Sequence, residues 1–205
     1  MGLRNVPVTV VGNETVVGFN REELSRLFSL GDARERRVAD ARFFETFDKI
    51  LEAVIRAVLQ VPASHLMWRS LDRDRPLKVF CYHMLADPNH VMDAISTRKY
   101  DGGFKLTYTK EAERFRTMEE LARFGEDTRA RLREASRNLT GAELDCPIDS
   151  YAGQTNGHEL LYQVLSHTAH HLRQLYEMLH IIGVEPTDRL MEEDFKGIPM
   201  PKELW

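Results

Sequence analysis

Cysteine is scarce in this chain of 205 residues. Cys81 and Cys146 are the two cysteines, they stand far apart, and neither belongs to a C-x-x-C pair. This argues against a disulfide scaffold and against a cysteine-based zinc site, and it predicts a cytoplasmic protein with reduced thiols. Long apolar runs are missing too, since none approaches the ~20 residues that a membrane-spanning helix needs. The N-terminus has no signal-peptide core, so we expect neither secretion nor a membrane partner.

A block of one charge sign is also absent. The chain carries 28 basic and 32 acidic residues, for a formal net charge of -4. The arginines of residues 32–42 and 123–137 alternate with acids, which is typical of solvated helix faces and argues against a nucleic-acid partner. The length suffices for one ordinary core, or for one core with a small extra lobe.

Residues 6–19 differ in character from everything after them. Two β-branched runs, Val8–Val11 and Thr15–Val17, flank a turn sequence and predict a hairpin. Asn20 is expected to cap a short helix over residues 21–28. Because an isolated hairpin is marginally stable, we expect this lobe to pack on another part of the molecule.

Further along, apolar residues recur every three or four positions, which predicts amphipathic helices. The first helix is expected to begin at Asp32 and to stop before Pro62. The second runs from Leu77 to about Ala86. Asp87-Pro88 then has the character of a helix cap followed by a first helical residue, so we expect a kink there and a continuation of the helix.

Two more helices complete the pattern. The third begins after a capping box at Thr117–Glu120 and ends near Asn138. Gly125 lies on its apolar stripe, which indicates close approach of a neighbouring backbone. The fourth follows from Gly157 to about Ile182 and stops at the next glycine.

The stretches between these helices are predicted to be irregular, namely Tyr100–Arg116 and Gly141–Gln154. The proline-rich tail from Ile198 is expected to pack back on the body. Four helices of four turns or more make a four-helix bundle the simplest fold. We therefore predict a mainly α protein, with a hairpin-and-helix segment over residues 1–31 and a bundle with its tail over residues 32–205.

The fourth helix concentrates three of the eight histidines within five residues. His167 and His171 are one turn apart on an apolar face, so both rings are expected to point inward, whereas His170 lies off this line. Such a pair is either a metal site or an unusually polar core. As ligands the pair suits one divalent zinc, nickel, cobalt or iron ion. His83 on the second helix is the best candidate for a third ligand, with His90 two turns on as the reserve.

Several familiar metal and catalytic motifs are missing around these histidines. A zincin needs H-E-x-x-H, but Thr168 follows His167 and the general base is absent. A di-iron bundle needs two E-x-x-H motifs, and only Glu177–His180 fits. No Ser-His-Asp arrangement, P-loop or G-x-G-x-x-G sequence is present.

Motifs in the second and fourth helices and at the C-terminal end form a set. They are Arg75-Pro76-Leu77 ahead of Tyr82-His83, H-x-x-x-H followed by Arg173-Gln174, Gly183–Pro186, and Ile198–Pro201 with Trp205. Through this set, residues 33–205 resemble the DinB-like superfamily of metal-binding four-helix bundles. The resemblance implies that His83, His167 and His171 are the metal ligands.

The same resemblance implies cofactors and partners. The ion would be zinc or nickel ahead of iron, cobalt and manganese, and three histidine ligands leave coordination positions open, as catalytic sites do. Several relatives use a low-molecular-weight thiol with a small-molecule electrophile, and a homodimer is expected. Residues predicted to line the pocket or to support the ligands are His90, His170, Tyr151, Gln154, Arg173 and Gln174.

The N-terminal segment carries a second resemblance. Val6-Pro7, a strand, a turn, a second strand, Gly18-Phe19 and a closing helix resemble the C-terminal portion of a glutaredoxin. In that family the Val-Pro bond is cis and helps to hold glutathione. The part with the redox cysteine is missing, so the segment is either a packing remnant or a surviving half of a thiol site.

Two functional hypotheses follow. The first is a metal-dependent enzyme, a thiol S-transferase or isomerase, whose three-histidine site activates a thiol or water. The second is a non-catalytic binding or stress-response module in which an ion only joins the helices.

Overall fold

The structure is a computed structural model that describes residues 8–17, 24, 26–28, 41–70 and 74–201. Within these ranges the chain forms six α-helices and five short strands, and none of these helices is long and apolar enough to cross a membrane. The elements are β1 (Val8–Val11), β2 (Glu14–Val17), α1 (Ala41–Leu59), α2 (Leu77–Thr97), β3 (Lys99–Tyr100), α3 (Tyr108–Ala112), α4 (Met118–Asn138), α5 (Gly141–Asp145), β4 (Ile148–Ser150), β5 (Gly153–Thr155) and α6 (Gly157–Ile181).

The predicted N-terminal hairpin is confirmed. Strands β1 and β2 pair antiparallel, with Val8 opposite Val17. Gly12 in the turn has a φ of 60°, a conformation that glycine adopts without steric cost. Of the short helix predicted next, Leu24, Arg26 and Leu27 are described and are helical.

Several predictions lie outside the described residues. They are the Val6-Pro7 bond, the Asn20 cap, the helix start at Asp32, the boundary between residues 31 and 32, and Trp205.

The four long helices pack as a mainly α bundle. Helices α1 and α2 each contact both α4 and α6, so the apolar stripes of all four helices meet in one core. Burying such stripes supplies the main favourable term in folding. The largest fully buried side chains include Phe47, Leu51, Phe80, Leu85, Leu121 and Leu161.

Helix α2 continues through Pro88 without a break. A proline inside a helix removes one backbone hydrogen bond and disturbs the preceding turn. In that turn the carbonyl of Leu85 accepts a hydrogen bond from the Thr128 hydroxyl at 3.1 Å, with the Asn89 amide 3.5 Å away. The predicted continuation is correct, but the capping role given to Asp87 is wrong because this residue lies inside the helix and is buried.

Gly125 packs closely as the sequence predicts, but its nearest neighbours are side chains of α1 and α2 and not a neighbouring backbone. A Cβ atom there would lie 2.7 Å from Ile55 Cγ1 of α1 and 3.1 Å from Leu85 Cδ2 of α2. Such distances are shorter than normal van der Waals contact, so α4 approaches both helices only because this position has no side chain.

The two stretches predicted to be irregular contain structure. Helix α3 forms within 100–116, and α5, strand β4 and the start of β5 form within 141–154. A capping box, which the sequence analysis missed, explains α5: the Thr140 hydroxyl accepts from the Glu143 backbone, and the Glu143 carboxylate accepts from the Thr140 backbone. Strand β4 pairs parallel with β3 and antiparallel with β5.

The C-terminal tail packs on α6 as predicted. Ile198 is buried, and the Ser166 hydroxyl donates a hydrogen bond to the Pro199 carbonyl. Arg173 also reaches the tail, at the Pro201 carbonyl.

Candidate metal site

Two helices bring the predicted histidine ligands together. His83 comes from α2, and His167 and His171 come from successive turns of α6. One ligand atom from each residue lies within 4.8 Å of the other two. His83 and His171 are buried, whereas 39% of the His167 side chain is exposed. The cluster therefore sits at the edge of the core and meets solvent at His167.

Phe80 packs against the two buried rings. Its ring centroid lies 5.4 Å from that of His83 and 5.1 Å from that of His171, both edge to face. The rings of His83 and His171 are themselves 4.7 Å apart. Aromatic rings favour this edge-to-face geometry, so the two histidines have a defined orientation within the α2–α6 interface.

Hydrogen bonds fix which nitrogen of each buried ring faces the cluster. His171 Nδ1 lies 2.5 Å from Gln174 Oε1, and His83 Nδ1 lies 2.7 Å from the Phe80 carbonyl oxygen. Oxygens of these kinds accept hydrogen bonds, so each Nδ1 carries the hydrogen and each Nε2 keeps its lone pair. Arg75 Nη1 also lies 3.3 Å from His83 Nδ1, but a guanidinium only donates, and the shorter contact with the Phe80 carbonyl sets the tautomer.

The nitrogens that face one another form an unusual contact. Nε2 of His167 and Nε2 of His171 are 2.9 Å apart. Two lone pairs at this distance repel, so a proton or a cation is needed between them. Burial, followed by the neighbouring His167 and His83, lowers the pKa of His171 to about 2. His171 is therefore neutral at ordinary pH, which is the form that binds metal.

Asp87 is a buried neighbour of the histidine cluster that sequence reasoning missed. Its carboxylate is buried, with Oδ2 3.1 Å from His167 Nδ1 and Oδ1 accepting a hydrogen bond from the Tyr108 hydroxyl. The Asp87–His167 distance is that of an ion pair, although the ring is turned away from ideal hydrogen-bond geometry. A signal was present, because His83 and Asp87 are four residues apart and share one face of α2. The adjacent Pro88 led instead to the interpretation as a cap.

The other two predicted histidines flank the cluster without joining it. His90 stacks on Phe104 with ring centroids 4.1 Å apart, and its centroid lies 5.9 Å from that of Tyr108. Burial lowers the pKa of His90. His170 lies beside His171, with centroids 5.6 Å apart. Among the residues that the structure describes, the group able to share one ion is the set of His83, His167 and His171.

The four remaining predicted residues have different contacts. Gln174 is fully buried against His171. Arg173 reaches the Pro201 carbonyl and Glu192, both at 3.4 Å, and so holds the tail. Tyr151 is exposed and its hydroxyl lies 2.5 Å from Lys105 Nζ. Gln154 is exposed on β5.

One family model matches part of the chain. Residues 76–175 match the DinB superfamily. The matched segment includes His83, His167 and His171, and it runs from the start of α2 into α6. No significant match was found among curated proteins or among solved structures. The match does not reach residues 1–31, so the glutaredoxin resemblance stays a prediction.

Proposed function

We propose that this protein is a DinB-like, divalent-metal-dependent enzyme whose ion is held by His83, His167 and His171. The observation that carries the proposal is the convergence of the three rings, with Nδ1 of both buried rings engaged by an oxygen. Metal-binding histidines are generally held in this way, because a hydrogen bond at one nitrogen orients the other toward the ion.

The donor set fits the ions that the family resemblance implies. Three neutral imidazoles suit zinc and nickel, and also iron, cobalt and manganese. When bound, a divalent ion at such a site lowers the pKa of a coordinated water or thiol. His167 is the ligand through which the cluster meets solvent, with 39% of its side chain exposed. The buried His83 and His171 shield the opposite side.

A thiol co-substrate is the chemistry we favour, with S-transfer to a small electrophile or a related isomerisation. Its support is the family resemblance together with the state of the chain's own thiols. Cys81 is fully buried on α2, and burial raises its pKa, so it is a poor nucleophile. The Cys146 thiol donates a hydrogen bond to the Ala142 carbonyl, with Sγ 3.2 Å from the oxygen. Neither joins the histidine cluster, so the reacting thiol would come from outside the chain.

A second candidate is a non-catalytic stress-response or binding module. The observation that favours it is the placement of the ligands on two helices, α2 and α6, which a bound ion would tie together. In this case metal removal lowers stability but no electrophile is consumed. The predicted homodimer is compatible with both candidate functions. Light scattering in solution tests whether it forms.

Metal analysis of the purified protein is the first test. We expect about one equivalent of divalent ion per chain, with strong loss in His167→Ala and His171→Ala. His180→Ala is the matched control, because His180 is an exposed histidine on the same helix. Metal content well below one equivalent, and the same in all four proteins, would contradict the proposal.

A thiol-transfer screen separates the two candidates. The metal-loaded protein is incubated with glutathione, bacillithiol or mycothiol and a panel of electrophiles, and both the loss of free thiol and the conversion of the electrophile are followed, because an isomerisation returns the thiol. Turnover that disappears in His171→Ala supports the enzyme. Full metal occupancy with no turnover for any pair supports the module.

A further inference from the structure

Asp87 is a carboxylate in the interior of the bundle. Only 8% of its side chain is exposed, and a buried carboxylate is costly unless its oxygens are paired. Each oxygen has a different neighbour: Oδ1 accepts from the Tyr108 hydroxyl and Oδ2 lies beside His167 Nδ1. The side chain thus connects α3 with α6 from its place on α2.

His167 is the ligand that most needs support. The Nδ1 atoms of His83 and His171 are held by the Phe80 carbonyl and by Gln174 respectively. The more exposed His167 has Asp87 Oδ2 near its Nδ1, 3.1 Å away. A carboxylate accepts hydrogen bonds, so this contact favours hydrogen on Nδ1 and leaves the Nε2 lone pair directed at the other two rings.

Tyr108 completes the arrangement behind the ligand. It is the first residue of α3 and is buried, and its ring centroid lies 6.0 Å from that of His83. Its hydroxyl donates to one carboxylate oxygen and leaves the other directed at His167. The short helix α3 therefore has a defined relation to the site, through one hydrogen bond.

We propose that Asp87 is a positioning residue for the metal site, which orients His167 through Nδ1 and is itself held by Tyr108. The inference rests on the proposed function, because it assigns Asp87 a role toward a metal ligand. It extends that function by making the α2 sequence His83-x-x-x-Asp87 supply both a ligand and the support of a second ligand.

The test measures zinc affinity by competition with a chromophoric chelator, together with the visible spectrum of the cobalt(II)-loaded protein. Asp87→Ala is expected to weaken zinc binding by about 10- to 100-fold, as is typical when such outer partners are removed. Asp87→Asn should lose less zinc affinity, since an amide oxygen can still accept a hydrogen bond from His167 Nδ1. Tyr108→Phe should lose the least zinc affinity of the three variants. The cobalt spectrum should change in both Asp87 variants.

Asp48→Asn is the matched control, because Asp48 is a partly buried carboxylate away from the histidines, paired with Arg129 between α1 and α4. Its zinc affinity and cobalt spectrum should equal those of the wild type. Wild-type protein that binds no zinc overturns the proposed function and this inference together. Wild-type binding with both Asp87 variants within about twofold of it overturns the inference alone. If Asp87→Ala does not fold, the isosteric Asp87→Asn decides.

Discussion

Two polar clusters lie between helices of the bundle, and they differ in whether charged groups are paired within them. Between α1 and α4, Arg129 meets Asp48 through two hydrogen bonds of 3.0 Å, and Arg133 lies 2.8 Å from the same carboxylate. Between α2 and α6, the imidazole rings of His83, His167 and His171 face one another. The first cluster, of Arg129, Arg133 and Asp48, contains both signs of charge, and we call it the charge cluster. The second, the histidine cluster, brings together ring nitrogens that can bind a cation.

The pKa shifts express this difference. Burial raises the pKa of Asp48, but hydrogen bonds from Arg129 and Arg133 outweigh it, so the net shift is downward. Burial lowers the pKa of Arg129, but the hydrogen bond with Asp48 and the attraction to its charge raise that pKa, so the net shift is upward. At His171 burial and like neighbours act together, and the pKa falls to about 2. The charge cluster is complete in itself, and the histidine cluster is suited to a cation from outside.

Metal addition should show the difference most clearly. An ion that binds only the folded state at about 100 times its Kd adds about 2.7 kcal/mol of stability, or a rise in Tm of about 5–10 °C for a chain of this size. We expect this rise in the wild type and in Asp48→Asn, but not in His171→Ala. Differential scanning calorimetry with zinc and with chelator checks it. A Tm rise in His171→Ala as large as in the wild type would contradict the assignment of the site.

Breaking the charge cluster should lower the free energy of unfolding by an amount that does not depend on metal. Arg129→Met leaves the partly buried Asp48 without its main partner, and we expect a loss of about 2 kcal/mol in the free energy of unfolding. Arg133→Ala, a more exposed position, is the control and should cost about 0–1 kcal/mol. Urea unfolding with and without zinc measures both. A zinc-dependent loss would mean that the two clusters are coupled.

Acid should weaken the histidine cluster before the charge cluster. The folded-state pKa of His171 lies below its ordinary value of 6.5, so the folded state binds fewer protons than the unfolded chain. The stability contribution is complete above about pH 6.5 and falls below it, by at most about 1.4 kcal/mol per pH unit. The lowered pKa of Asp48 affects the free energy of unfolding only near and below pH 3.8, the ordinary pKa of an aspartate. Urea unfolding of the metal-free protein between about pH 7.5 and 5 should show this slope, and His171→Gln should reduce it. An unchanged slope in that variant would contradict the shift.

The two clusters also differ in how far the sequence predicts them. His167 and His171 follow from helical spacing, because local periodicity decides which face of α6 turns inward. His83 followed from its apolar surroundings and the family resemblance. Asp87 was not predicted to lie at the site, because the neighbouring Pro88 favoured its interpretation as a helix cap. Its contact with His167 depends on how α2 packs against α6.

Tyr108 was missed for a related reason. Residues 100–116 have a polar composition without a helical apolar repeat, and α3 forms only one short turn there. Its place is set by tertiary contacts, including the bond from Tyr108 to Asp87 and the bond from Tyr82 to Glu111 at 2.6 Å. Contacts between residues far apart in the chain carry no local pattern, so the contact of Tyr108 with Asp87 was visible only in the fold, whereas Gln174 was predicted from its place beside His171.

The smallest expected effect on zinc affinity is that of replacing His90, which the sequence predicts as a reserve ligand. This replacement tests where the histidine cluster ends. The His90 ring stacks on Phe104, two turns along α2 from His83, and it does not join the three converging nitrogens. We therefore expect His90→Ala to change zinc affinity by less than about twofold, because removing a group outside the ligands and their direct supports leaves the ion's contacts intact. The chelator competition that tests Asp87 measures this as well. A loss of about tenfold or more would instead place His90 in the site, and would extend the cation-binding cluster along α2 toward α3.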